Sequence, residues 1–235
     1  ILVRIFIFES ERSQNARLEA LQKGKRIDWI GIILVVIGFG AFQLVMEEGN
    51  KEGWLESNFI VLTTGIALAA IIVGITWEYY QESPAMDISM FSNRNFTLSA
   101  ILVFIIRFVI FGTTFLIPYL AQTLLDYNAT NAGLLLIPGA ITLLIMMPVA
   151  GYLADRFDAR KVIFVGLIIS FAAMWNLTTI SLDVGFNDLA TYRVVQIFGL
   201  SFLSSTMMAV GYYYVPPAKN DSASALINLA SNLGA

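Results

Sequence analysis

Residues 127–161 read YNATNAGLLLIPGAITLLIMMPVAGYLADRFDARK, and this stretch decides the fold. No charged residue falls between Tyr127 and Ala154; then Asp155, Arg156, Asp158, Arg160 and Lys161 follow in quick succession. Crossing a bilayer core of about 30 Å takes about 20 mostly apolar residues in a helix. No alternation of period two runs through the stretch, so a helix is favoured over a barrel strand. Residues 127–154 read as one membrane-spanning helix ended by a charged turn, with a further apolar run beginning at Val162.

Outward from there the pattern recurs. Trp29–Met46, Ser57–Trp77, Val162–Leu182 and Val194–Ala218 are charge-free, and Asn95–Leu125 carries Arg107 alone. Across its 235 residues the chain is 57% hydrophobic and only 13% charged, about half the charge of a soluble domain and too little to cover a water-facing surface. The expected fold is all-α and integral to the membrane, with six complete transmembrane helices plus partial helices at both ends. Ile1–Phe8 is too short to span and contains Arg4, so it reads as the tail of an earlier helix. Ser222–Ala235 reads as the start of a seventh span, and the chain as an excerpt.

Basic residues set the orientation. Arg12, Arg17, Lys23, Lys25, Arg26, Arg94, Arg156, Arg160, Lys161 and Lys219 share one side of the alternating spans, which is therefore cytoplasmic. The other side holds Lys51, with Arg193 at the mouth of the last span, and is otherwise acidic: Glu47, Glu48, Glu52, Glu56, Asp126, Asp183 and Asp188.

Composition also excludes chemistry. There are no histidines and no cysteines, which removes Ser-His-Asp triads, imidazole and thiolate metal sites and thiol nucleophiles. A net charge of -3 gives no reason to expect a nucleic-acid partner. No Gly-x-x-x-x-Gly-Lys-Ser/Thr loop is present for ATP. No catalytic residue, metal or cofactor is expected.

Several polar residues stand out against this background. A charge near a helix centre costs about 2.5–3.5 kcal/mol on insertion scales, so Arg107 should face protein or water. It shares a helical face with Phe111, Thr114 and Pro118. Arg193, Gln196 and Gly199 lie along one ridge of the last full span, where Arg193 either serves a site or anchors the outer interface. Asn228 and Asn232 lie four apart beyond it, and Asn176, Thr178 and Thr179 read as hydrogen-bonding glue between helices. Pro118, Pro138 with Gly139, Pro148, Gly199 and Gly211 sit inside spans and suit bent helices. Met207, Met208, Tyr212 to Tyr214, Phe104 and Phe111 suit a soft pocket for hydrophobic compounds, and equally lipid-facing and interface-belt positions. In the turn, Asp155 or Asp158 can cap the following helix, the three bases can pair with these acids, and Gly151 permits close helix approach.

The turn resembles the Gly-x-x-x-Asp-Arg-x-Gly-Arg-Lys loop of the major facilitator superfamily. Gly151, Asp155, Arg156, Arg160 and Lys161 stand at matching positions, with Asp158 in place of the second glycine. The resemblance implies a gating latch made and broken during alternating access. Asp28-Trp29-Ile30-Gly31, with Gly40, Gln43, Glu47, Gly49 and Trp54, is similar to the first central helix of EmrB/QacA-type fourteen-helix drug:proton antiporters. The Pro84-x-x-Asp87-x-x-x-Phe91-x-x-Arg94-Asn95-Phe96 stretch and Ala132-Gly133-x-x-x-x-Pro138-Gly139 resemble the same branch. Arg193-x-x-Gln196 resembles the superfamily's Arg-x-x-Gln-Gly-x-Gly helix, with Ile197 replacing the first glycine.

What this resemblance implies is a major-facilitator-type bundle divided into three parts. Residues 1–27 are the tail of a preceding helix and a cytoplasmic loop, 28–80 two central helices, and 81–235 the start of a six-helix carboxyl-terminal half. The implied function is proton-coupled export of hydrophobic or cationic drugs from a bacterial cytoplasmic (inner) membrane. Arg107, Phe111, Thr114, Arg193, Gln196, Asn228 and Asn232 are then candidates for the substrate cavity or coupling. The implied partners are a small-molecule substrate, protons, the lipid bilayer, the amino-terminal half of the same protein and a periplasmic adaptor. The coupling acid is expected upstream. An importer, a membrane-embedded enzyme using Asp155 and Asp158, and a non-transporting scaffold are the alternatives.

Overall fold

Long apolar runs leave the backbone only one way to satisfy its own polar groups in lipid, which is helix. The computed structural model describes residues 28–81, 84, 86–179, 181, 183–213, 215–216 and 219–235, and every regular element among them is helical. In chain order the α-helices are α1 (Trp29–Glu48), α2 (Asn58–Tyr80), α3 (Arg94–Leu124), α4 (Ala129–Leu134), α5 (Ile137–Arg156), α6 (Ala159–Thr178), α7 (Phe186–Tyr213) and α8 (Asn220–Leu233). Six segments are long and apolar enough to cross a membrane, with α4 and α5 together forming one of them. The expected helix tail at Ile1–Phe8 lies outside the described residues.

Two boundaries differ from the sequence reading in ways that matter. The last full span begins at Phe186 rather than Val194, so Arg193 lies about two turns inside α7 and not at its mouth. The span read as 127–154 is broken between Leu134 and Ile137, and Pro138 occupies the first turn of α5. A proline there starts a helix, because its missing N–H would have had no intrahelical partner anyway. Pro118 and Pro148 do lie inside helices.

The chain divides into two compact units. One comprises the described residues up to Ser92 together with Pro216–Ala225; the other comprises Asn93–Val215 with Leu226–Ala235. In the first unit α1 and α2 form an antiparallel pair packed through small residues, with Gly31, Gly38, Ala67, Ala70 and Gly74 buried along the seam. Small residues let helix backbones approach closely in lipid, where no hydrophobic force drives them together. At the seam's end, Asp28 caps α1 by accepting from Gly31 N at 2.9 Å and also accepts from Trp77 Nε1 at 3.1 Å. Gly31 is required there: a Cβ would sit 2.5 Å from Asp28 Oδ2 and 2.7 Å from Glu78 Oε1.

In the second unit α7 is the central post. Burial takes in 59% of its apolar window, against 17–28% for the other spans. It packs against α3, α5 and α6. Towards its amino end, Ile117, Ala121, Ala132, Leu135 and Leu189 close an apolar cluster. Lower down, Ala150, Val162 and Phe202 form another.

Candidate functional site

Between those clusters lies a polar knot. Arg193 is 4% exposed and Gln196, one turn on, is fully buried. Arg193 Nη1 donates to Thr113 Oγ1 at 2.5 Å and to Gln196 Oε1 at 2.8 Å, while Nη2 donates to Thr114 Oγ1. Gln196 Nε2 donates to Thr113 Oγ1 at 3.0 Å. The threonine hydroxyls in turn donate to their own helix, Thr113 to Val109 O at 2.7 Å and Thr114 to Ile110 O at 2.6 Å.

These bonds fix the polarity of the knot. A hydroxyl has one proton and two lone pairs; Thr113 gives its proton to the backbone of α3 and both lone pairs to α7. Every acceptor around the guanidinium is a neutral oxygen, and no described residue forms an ion pair with it. Arg193 Nε is buried with no partner among the described residues. A bare positive charge with a spare donor is thus held inside an apolar bundle, where an acceptor reaching it would be bound strongly.

Gly139 on α5 makes the space. A Cβ at that position would lie 2.8 Å from Arg193 Cγ and 3.4 Å from Nε. Arg193 is therefore seated between the threonine pair of α3 and the glycine of α5, which excludes the reading of this arginine as an anchor at the outer interface.

The structure divides the stripe Arg107, Phe111, Thr114, Pro118. Thr114 joins the buried knot, whereas Arg107 and Phe111 are exposed on α3. No described residue bonds the Arg107 guanidinium. Asn228 and Asn232 are exposed on α8. The end of α8 packs on α3 beside Arg107, where Gly234 meets the backbone of Phe104 and the Cβ of Arg107. Asn176 and Thr178 of α6 and Thr179, its C-cap, bridge no helices among the described residues: Asn176 donates to Ala172 O, Thr178 to Trp175 O and Thr179 to Asn176 O.

The charged turn between α5 and α6 also departs in part from expectation. Asp158 caps α6, accepting from Arg160 N at 3.0 Å. Its φ of -56° shows that this position needs no left-handed residue, which is why an aspartate can stand there. Gly151 approaches α7, its absent Cβ falling 3.3 Å from Ser205 Oγ. The expected pairing of Arg156, Arg160 and Lys161 with Asp155 and Asp158 is not formed among the described residues. Arg156 instead lies over the Tyr152 ring at 4.8 Å, and exposed ion pairs gain too little to compel a geometry.

Sequence reasoning missed Thr113 and gave Gly139 only a bending role. The available signal was the adjacent pair of hydroxyls in the outer half of α3. An arginine and a glutamine on a facing helix need such acceptors.

Comparison with known proteins places this architecture. The Major Facilitator Superfamily profile matches residues 27–235. The chain is 29% identical over 234 residues to the multidrug export protein EmrB of Escherichia coli K12, covering 99% of this chain and 45% of that protein. It is 31% identical over 229 residues to YhcA of Bacillus subtilis, named an uncharacterized MFS-type transporter, covering 97% and 41% respectively. It is 29% identical over 230 residues to the lincomycin resistance protein LmrB of Listeria monocytogenes, covering 97% and 47%. The chain thus spans somewhat under half the length of these relatives.

Proposed function

The chain belongs to the Major Facilitator Superfamily, and on that premise we propose that it forms the central and early carboxyl-terminal part of a proton-coupled exporter of hydrophobic or cationic compounds. Transport proceeds by alternating access in a bacterial cytoplasmic membrane. The names of the relatives, multidrug export and lincomycin resistance, support the substrate class.

The observation that carries the reading is the Arg193 knot. A scaffold has no use for a desolvated cation seated on neutral oxygens with a donor left over. A transporter has, because ionisable groups inside spans serve ion and substrate pathways. The free edge of Arg193 holds a carboxylate or a polar substrate group in one state of the cycle and gives it up in another. Arg107, Phe111, Asn228 and Asn232 form the face that meets the cavity. The turn from Gly151 to Lys161 opens and closes on the cytoplasmic side.

Everted membrane vesicles carrying the protein test this. Ethidium accumulates in wild-type vesicles when a proton gradient is imposed, and nigericin abolishes the accumulation. Arg193→Met keeps the bundle, because Thr113, Thr114 and Gln196 each retain a hydrogen bond, but accumulation falls to that of vesicles lacking the protein. Gradient-independent uptake in the wild type, or undiminished uptake in the variant, would overturn the reading.

A further inference from the structure

The first unit contains a chain of polar contacts that the proposed cavity does not use. It begins at Asp28, which takes Trp77 Nε1 and so fixes the carboxyl end of α2 to the amino end of α1. Glu78, the next residue, is 4% exposed. Both of its carboxylate oxygens accept from Met86 N, at 3.2 Å. The linker that follows α2 is thereby tied back to the helix pair it leaves. Asp87 comes directly after Met86, and its two oxygens do different work. Oδ1 accepts from Ser89 N at 3.1 Å and Ser89 Oγ at 2.5 Å, which orients the carboxylate. Oδ2 pairs with Lys219 Nζ at 2.5 Å.

Lys219 stands immediately before α8, where the helix dipole disfavours a cation. Asp87 supplies the compensating charge. The connection therefore runs from the central helix pair, through the linker, to the joint between α7 and α8.

We propose that the Asp87–Lys219 ion pair is a cytoplasmic tether that makes and breaks during the transport cycle and couples the central helix pair to the entry of α8. The inference rests on the transporter reading but concerns a different part of the molecule. It assigns the central pair a mechanical role. Burial acts to raise the Asp87 carboxyl, but hydrogen bonds from Lys219 and Ser89 and the Lys219 charge hold it below its ordinary value. The pair contributes fully above the usual aspartate value of about 3.9 and is lost only as pH falls through the depressed one. The Asp87 carboxylate stays charged at neutral pH, so movement rather than its protonation releases the pair.

The chain has no cysteine, so Asp87→Cys with Lys219→Cys places a thiol pair in an otherwise thiol-free background. A short bifunctional methanethiosulfonate joins them in resting vesicles, and the yield falls when a proton gradient and ethidium are supplied. Joined protein stops exporting, and reduction restores export. Failure to join in any condition, a yield indifferent to the gradient, or undiminished export by the joined protein would each overturn the tether. Asp87→Lys and Lys219→Asp separately slow export by about twofold to fivefold, the range open to a partly exposed pair. The double swap restores it; singles at wild-type rates would count against the tether. Wild-type export measured alongside separates the readings, since its absence sinks the transporter proposal while the gradient response of the joining yield still decides the tether.

Discussion

Arg193 and Arg107 are both arginines in apolar spans, yet the molecule treats them oppositely. Arg193 is buried between α3, α5 and α7, with three side chains accepting its N–H groups and a glycine cut away for its stem. Arg107, near the middle of the 31-residue α3, is exposed and takes no bond from any described residue. The difference separates two uses of a charge in a membrane. One is built into the bundle, where its surroundings were shaped around it. The other is left on an exposed face of α3.

The largest expected effect attacks the seat of Arg193. Gly139→Ala forces a methyl to within 2.8 Å of the arginine Cγ, an overpacking worth about 1–3 kcal/mol. Gly112→Ala on α3 is the control, since nothing lies within 4 Å of the Cβ it would add; it stabilises by about 0.5–1 kcal/mol through helix propensity. Thermal unfolding of the purified protein in detergent should show shifts of opposite sign. Two shifts of the same sign would mean that Arg193 is not seated on Gly139.

Next in size is Thr113→Val. It keeps the shape but removes the acceptor that Arg193 and Gln196 share. At roughly 0.6 kcal/mol for an average hydrogen bond between membrane helices, losing two costs about 1 kcal/mol in the same unfolding measurement. A neutral result would mean that the bonds are replaced by water, and the contrast with the open face of Arg107 would shrink.

The smallest effect on stability belongs to Arg107→Ala, which changes the unfolding temperature little because no hydrogen bond or ion pair with a described residue is lost. Export is nonetheless abolished while membrane insertion is kept. Wild-type export in that variant would remove Arg107 from the cavity and leave Arg193 as the working arginine.

Much of this was legible without coordinates. Six spans and the charged turn between α5 and α6 follow from the spacing of charges, because a bilayer tolerates so few that their positions punctuate the chain. That Asp155 or Asp158 caps α6 was readable for the same local reason, and the structure selects Asp158. The start of α7 was not. Asp188 and Arg193 look like the edge of a loop, and only the bundle shows that the helix begins before both and carries Arg193 inward. Nor could the helical wheel of α3 be read correctly. Placing Arg107 and Thr114 on one stripe was sound geometry, but a helix wrapped by neighbours on one side splits such a stripe between a buried edge and an open one.

The sequence by itself determined that this chain is helical, lies in a membrane, and carries its basic residues on one side of the alternating spans. Those properties depend on local composition and on solvent, which act on each segment separately. Tertiary structure alone decided which arginine is buried, that Thr113 serves it, and that Gly139 must stay without a side chain. Those properties depend on residues far apart in the chain, up to 83 positions for Gln196 and Thr113, whose meeting is set by the packing of α3 and α5 on α7.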